Sequence, residues 1–325
     1  MYSGQSAIDY LSSEAVKSDP GESSHWQKYH ADFKFDGKSF SGLQGFGGLS
    51  KSPTGFKSLL TKFLQKKFRR FGDSNKKFAL IDNLARDITN KQQREYDLDV
   101  LRQTLTISFL DQKVGESLNC KSTLCVIGDG FASMTALLLA SKSAGCIVLI
   151  NLTKTLLVDL WYLKLWMGAD KFESTVDLIA NDEDVDLVLE KRSHLAREGA
   201  QQVIAIQASD HQLMKRLPID LVINIASMQE MNPQTIGAYF DDMRNIAANK
   251  KLFFYCCNRE EKILPDGTIT RIKDYPWILS DDILVEGLCP WHQKYYSTRP
   301  PFYRPYDGPI IHKLVALSPQ IKAFE

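Results

Sequence analysis

The 325 residues carry 40 Lys plus Arg against 39 Asp plus Glu, a formal net charge of +1, and 44% hydrophobic residues. This describes a folded chain with room for one large α/β domain with extensions or two smaller ones, and its balanced charge argues against nucleic acid as a default partner. No run approaches the roughly 20 apolar residues of a membrane span, Met1-Tyr2-Ser3-Gly4-Gln5 lacks the basic and apolar regions of a signal peptide, and the six cysteines show no C-x-x-C spacing, so a soluble, cytoplasmic protein is expected.

In chain order, the first 50 or so residues mix Ser and Gly with aromatics, among them Trp26, Tyr29, Phe33, Phe35, Phe40 and Phe46. Aromatics at this density need burial, which predicts a structured arm packed on the main domain or covering a ligand. Residues 55–71 place Phe56, Leu59, Leu60, Phe63, Leu64, Phe68 and Phe71 near helical spacing, with Lys62, Lys66, Lys67, Arg69 and Arg70 between them, which predicts a basic amphipathic helix. A second helical region follows over 77–110, and residues 1–115 are read as an arm and helical extension packing on a core domain of 116–325.

From Ser122 the predicted elements alternate: strand 122–127, helix 131–144, strand 146–150, helix 154–167, a charged helix near 183–199, and strand 202–207. Strand 220–226, helix 233–249 and strand 252–257 complete the series, and the alternation predicts a parallel sheet with helices on both faces. Residues 258–311, rich in Pro and aromatics, read as a decoration on the substrate side rather than more doubly wound sheet, and a last strand is expected at 312–317.

The most informative segment is Leu124-Cys125-Val126-Ile127-Gly128-Asp129-Gly130-Phe131, an apolar strand ending in Gly-x-Gly ahead of a helix. Such glycines let the backbone turn beside a nucleotide at a helix N-terminus. Dinucleotide-binding and methyltransferase sheets share this unit, and both place an acid at the end of the second strand for the ribose; here that position is Asn151. Ser133 at the third glycine position and the late strand favour the methyltransferase, whose last strand inserts antiparallel beside the fifth.

Here the chain resembles the S-adenosylmethionine-dependent sugar O-methyltransferase family, of the Rossmann-like class I fold. The resemblance lies in Trp26-Gln27-Lys28-Tyr29-His30, Phe35-Asp36-Gly37, Val222-Ile223-Asn224-Ile225-Ala226-Ser227-Met228-Gln229-Glu230-Met231, and Tyr255-Cys256-Cys257-Asn258-Arg259-Glu260-Glu261-Lys262 followed by Leu264-Pro265-Asp266-Gly267-Thr268. The family usually has Glu before Ile-Gly and Asp-Leu-Pro after the second strand, where this chain has Val126 and Asn151-Leu152-Thr153. These departures keep open a degenerate binding or scaffold protein, in which Asn151→Asp would strengthen cofactor binding. An NAD(P)-dependent oxidoreductase is the third alternative.

The resemblance implies methyl transfer from S-adenosylmethionine to a hydroxyl of a sugar or sugar-containing precursor, which needs a general base. Glu230, His292 and His312 are the candidates, with Glu230 alternatively capping the next helix. Gly128, Asp129, Gly130 and Phe131 are assigned to the methionine side of the cofactor and Asn151 to the ribose. Leu152 is assigned to the adenine face, Asp210 to the adenine amino group, and Asn224 to the same pocket. Tyr29, His30, Asn258, Arg259, Trp291 and Tyr295 are the candidate sugar contacts, with a small-molecule or glycan-precursor sugar as partner and a homo-oligomer possible. No metal site is expected from the spacing of His, Asp and Glu.

Overall fold

Val, Ile and Leu runs that are apolar on both faces account for the centre of the sheet in this computed structural model, which describes residues 1–45 and 55–320. Phe46 lies outside the described residues, as does the side chain of Phe56. In chain order the strands of the main sheet are β1 (Tyr2–Ser3), β2 (Asn119–Ile127), β3 (Ala144–Asn151), β4 (Val176–Ile179) and β5 (Gln202–Gln207). They continue with β6 (Leu221–Ile225), β7 (Leu252–Arg259), β8 (Asp282–Leu288) and β9 (Ile310–Leu317). Their spatial order is β1-β4-β5-β3-β2-β6-β7-β9-β8. Every pairing from β4 to β7 is parallel, whereas β9 runs antiparallel to both β7 and β8.

This is the expected Rossmann-like class I sheet, mostly parallel with its last strand antiparallel beside the fifth core strand. A dinucleotide-binding sheet would continue in parallel order there, so the topology removes the ground for the oxidoreductase alternative.

Side chains alternate across the sheet with the period of two that a strand imposes. Leu124, Val126, Ile147 and Leu149 face one side, where Ala7, Leu11, Ile81, Ile88, Leu101 and Leu105 of the N-terminal helices cover them. Cys125, Ile127, Cys146 and Val148 face the other, covered by Val185, Val188, Phe240 and Met243. The N-terminal helices are α1 (Gln5–Glu14), α2 (Ser24–Tyr29), α3 (Gly55–Arg69), α4 (Phe78–Lys91) and α5 (Leu98–Val114). The crossover helices are α6 (Ser133–Ala140), α7 (Thr153–Met167), α8 (Ala169–Thr175), α9 (Asp182–Arg197) and α10 (Pro233–Ala247). The N-terminal segment therefore shares one apolar core with the sheet, and β1 also hydrogen-bonds the sheet edge at β4.

Three strands depart from the expected pattern. β1 and β4 are two and four residues long, too short for a periodic signal. Within 258–311, expected as a decoration rather than more doubly wound sheet, β8 adds an antiparallel edge strand, largely exposed, whose Gly287 and acidic residues resemble loop composition. The expected helix 131–144 is shorter, because Phe131 and Ala132 adopt left-handed backbone before α6 begins.

Candidate active site

A cavity of about 380 Å³ opens where β2, β3 and β6 end, the edge at which open α/β sheets take ligands. Its floor is the glycine loop. Gly128 has φ +72°, and a Cβ there would sit 2.2 Å from Ser227 Oγ, so the loop closes directly onto the turn after β6. Gly130 has φ +75° with no atom within 4 Å of the Cβ position, so that Cβ would meet open space. Phe131 and Ala132 follow at φ 58° and 48°, and Ala226 across the cavity has φ 62°. Left-handed non-glycine residues cost of order 1 kcal/mol each and persist only where the surroundings fix them.

The surroundings do so. Ala132 N donates to Asp159 Oδ1 at 2.8 Å, and the Asp129 carboxylate accepts from Met134 N and Thr135 N at 2.8 and 2.7 Å, capping α6 from within the loop. Gln92 Nε2 donates to Phe131 O at 3.2 Å, and the Arg94 guanidinium lies 3.9 Å from the Phe131 ring centre. Burial pushes the Asp129 carboxyl up to about 6 despite its helix-terminal hydrogen bonds. Burial, and then Asp129 itself, hold Asp159 well above the carboxylate range.

At the end of β3, Asn151 donates its Nδ2 to Asp159 Oδ2 at 2.8 Å and accepts from Leu152 N. The arm supplies carboxylates at this point: Asp19 accepts from Thr153 N at the start of α7, and Glu22, buried in the cavity wall, meets His30 Nδ1. The opposite wall carries both signs of charge. Glu230 pairs with Lys262 at 2.8 Å and His25 at 3.4 Å. Burial pushes Glu230 upward, but the His25 hydrogen bond and the Lys262 charge outweigh it and leave its carboxyl below the usual range. Arg259 pairs with Asp307 at 2.7 Å and lies 5.2 Å from the Tyr306 ring. Asp97 caps α5 through Val100 N, and burial, reinforced by Asp99, raises its carboxyl to about 6.

Of the residues singled out in the sequence, Gly128, Asp129, Gly130, Phe131, Asn151, Leu152, Glu230, Arg259 and His292 line this cavity. The others stand apart from its lining. Ala208 lines the wall where Asp210 was expected; Asp210 instead accepts from Ser209 Oγ. Asn224 and Asn258 are fully buried and hydrogen-bonded to each other at 3.0 Å, so they brace the turns after β6 and β7. His30 is held between Glu22 and Thr155, and Tyr29 packs edge-on against His25. His312 and Trp291 are buried together beside Phe109, and burial lowers the affinity of His312 for a proton. Tyr295 is exposed on the hairpin Lys294–Tyr296.

Sequence reasoning missed Glu22, Arg94, Asp97, Arg102, Lys262 and Tyr306, all in the cavity wall. Asp97 ahead of Leu98 was readable as a helix cap, but nothing local tells that this helix start faces the glycine loop. The sequence also gave no sign of a metal-ligating group, whereas Cys257, Cys289 and His292 bring their ligand atoms within 4.8 Å of one another. Among the described residues, no helix is long and apolar enough to cross a membrane.

No protein-family model and no curated protein matches the chain. Among solved structures, TrmK of M. capricolum bound to S-adenosylhomocysteine is 14% identical, covering 67% of this chain and 71% of its own at a TM-score of 0.32. A Leishmania major S-adenosylmethionine-dependent methyltransferase is 10% identical over 78% of this chain and 82% of its own, with a TM-score of 0.34. One from Clostridium acetobutylicum is 12% identical over 65% and 89%, with a TM-score of 0.33. Likenesses this distant carry nothing about what this chain binds.

Proposed function

We propose that the chain binds S-adenosylmethionine in this cavity and methylates a hydroxyl of a sugar or sugar-containing precursor. The observation that carries the reading is the Gly128–Ala132 loop, left-handed at Gly128, Gly130, Phe131 and Ala132, whose Gly130 opens onto a cavity of about 380 Å³, within the usual size range of small-molecule sites. When bound, the donor supplies an electrophilic methyl group on a sulfonium.

The chain's residues supply the rest. Gly128, Asp129, Gly130 and Phe131 hold the amino-acid end, with Arg94 as the cation for its carboxylate. Asn151 has its amide committed to Asp159, so Glu22 takes the ribose-facing role that a strand-end acid has elsewhere. Leu152 and Ala208 form the apolar wall for the base. Lys262, Arg259 and Tyr306 orient a charged or phosphorylated sugar by ionic and ring contacts. Asp97, raised to about 6, has a basicity close to neutral pH and takes the acceptor's hydroxyl proton. Glu230, already neutralised by Lys262, is an orienting group rather than the base.

The test is incubation with S-adenosylmethionine and a panel of nucleotide-linked sugars and sugar acids, read by mass spectrometry. Gain of one methyl group on a sugar, lost in Asp97→Asn, is expected; no methylated sugar, with methyl gain on RNA in a parallel incubation, would overturn the sugar assignment. The engaged amide of Asn151 favours one second reading, a binding protein that holds the donor weakly and transfers nothing, and the same assay separates the two.

A further inference from the structure

We propose that Cys257, Cys289 and His292 form a binding site for a thiophilic divalent metal ion of the zinc type, a site independent of the methyl-transfer reading. Cys257 comes from β7, while Cys289 and His292 lie in the turn that follows β8, so the site staples the outer strands to the core across β9.

The geometry carries the proposal. His292 Nδ1 lies 3.2 Å from Cys289 Sγ and 3.7 Å from Cys257 Sγ. Zinc bonds of about 2.3 Å to sulfur and about 2.0–2.1 Å to nitrogen, at tetrahedral angles, separate the donors by roughly 3.6 Å. The observed spacings fall within a few tenths of an ångström of that edge. The two sulfurs converge on a single imidazole nitrogen, so three donor atoms that a soft cation favours surround one point.

One further observation agrees: all three side chains are buried. Two thiolates and a neutral imidazole around a divalent ion sum to zero charge, so the assembled site avoids the cost of burying net charge. Metal entry displaces the two thiol protons to solvent. Cys₂His is also a donor set that leaves a fourth position for water or substrate.

One consequence reaches the cavity. Ligation through Nδ1 fixes the proton on Nε2, so His292, which lines the cavity, has no free ring nitrogen left to act as a base.

The full-length chain purified from zinc-supplemented medium is expected to hold about one zinc per molecule. Replacement by cobalt(II) should give a thiolate-to-cobalt charge-transfer band. Cys289→Ser should lower metal affinity at least tenfold, whereas Cys120→Ser, at an exposed position, should leave it unchanged. X-ray absorption of the unmodified zinc protein, which needs no variant, should report two sulfurs and one nitrogen in the first shell. Failure to retain zinc together with no charge-transfer band under excess cobalt, or a first shell of oxygen only, would overturn the proposal. Either result leaves methyl transfer untouched.

Discussion

Replacing Asn151 with Asp installs the acid that nucleotide-binding strands usually carry, and the structure sets a cost against it. Asn151 donates to Asp159 Oδ2 at 2.8 Å, with 8% of Asn151 and 0% of Asp159 exposed. Two ionised carboxylates at that distance repel by about 6 kcal/mol at an effective dielectric constant near 20. Protonating one of them at neutral pH costs about 4 kcal/mol, three units above an ordinary carboxyl, and the resulting acid-to-carboxylate hydrogen bond returns roughly 1–3 kcal/mol. Proton uptake is the cheaper route, and burial already raises Asp159, so Asn151→Asp should lose at most about 1–3 kcal/mol of stability near neutrality. The sign follows from linkage: the native variant holds a proton that the unfolded chain lacks, so its stability falls as pH rises and the deficit narrows toward acid. Urea unfolding at about pH 7.5 and about pH 5 measures both. The double change Asn151→Asp with Asp159→Asn reverses the pair and should restore most of the loss. An Asn151→Asp protein as stable as its parent, with no pH dependence of the difference, would refute the reasoning.

Gly128→Ala should be the more damaging of the two loop substitutions, since its Cβ would meet Ser227 Oγ at 2.2 Å, while Gly130→Ala pays only for its left-handed backbone, about 1 kcal/mol; thermal unfolding ranks them. A bulkier Gly130→Val should fill the cavity floor and weaken donor binding at least tenfold, read by titration. Asp97→Asn should remove an acid limb near 6 from the pH profile of kcat/KM and slow turnover by about 10²–10⁴-fold. Because the Asp97 carboxyl is raised in the folded protein, the parent loses stability as pH rises from about 4 to about 6, and Asp97→Asn, which keeps the helix cap, should be the more stable protein at neutrality. Glu230→Gln should strand the partly buried Lys262 and cost about 1–3 kcal/mol, with Lys262→Met recovering part of it in chemical denaturation.

The sheet was legible because its strands are long apolar runs: β2, β3 and β5 are apolar through their centres and end at Gly or polar residues, and α10 carries helical periodicity while α7 is apolar around most of its circumference. The glycine loop was legible for the same reason, since Gly128 and Gly130 stand where a strand stops and a helix starts. Short edge strands such as β4 carry too few residues to show a period. The cavity wall beyond the glycine loop was illegible in a different way. Arg94, Asp97 and Arg102 belong to the helical extension, Lys262 and Tyr306 to late hairpins, and only tertiary packing brings them to one cavity. His312 shows the converse error, a histidine near the right sheet edge whose ring is enclosed by Phe109, Tyr255 and Trp291.

Calorimetric titration of the full chain with S-adenosylhomocysteine tests the central claim most directly. Saturable one-to-one binding, weakened at least tenfold in Gly130→Val and in Glu22→Gln, is the predicted result. No heat of binding at millimolar ligand, from a chain that unfolds cooperatively and is therefore folded, would contradict it.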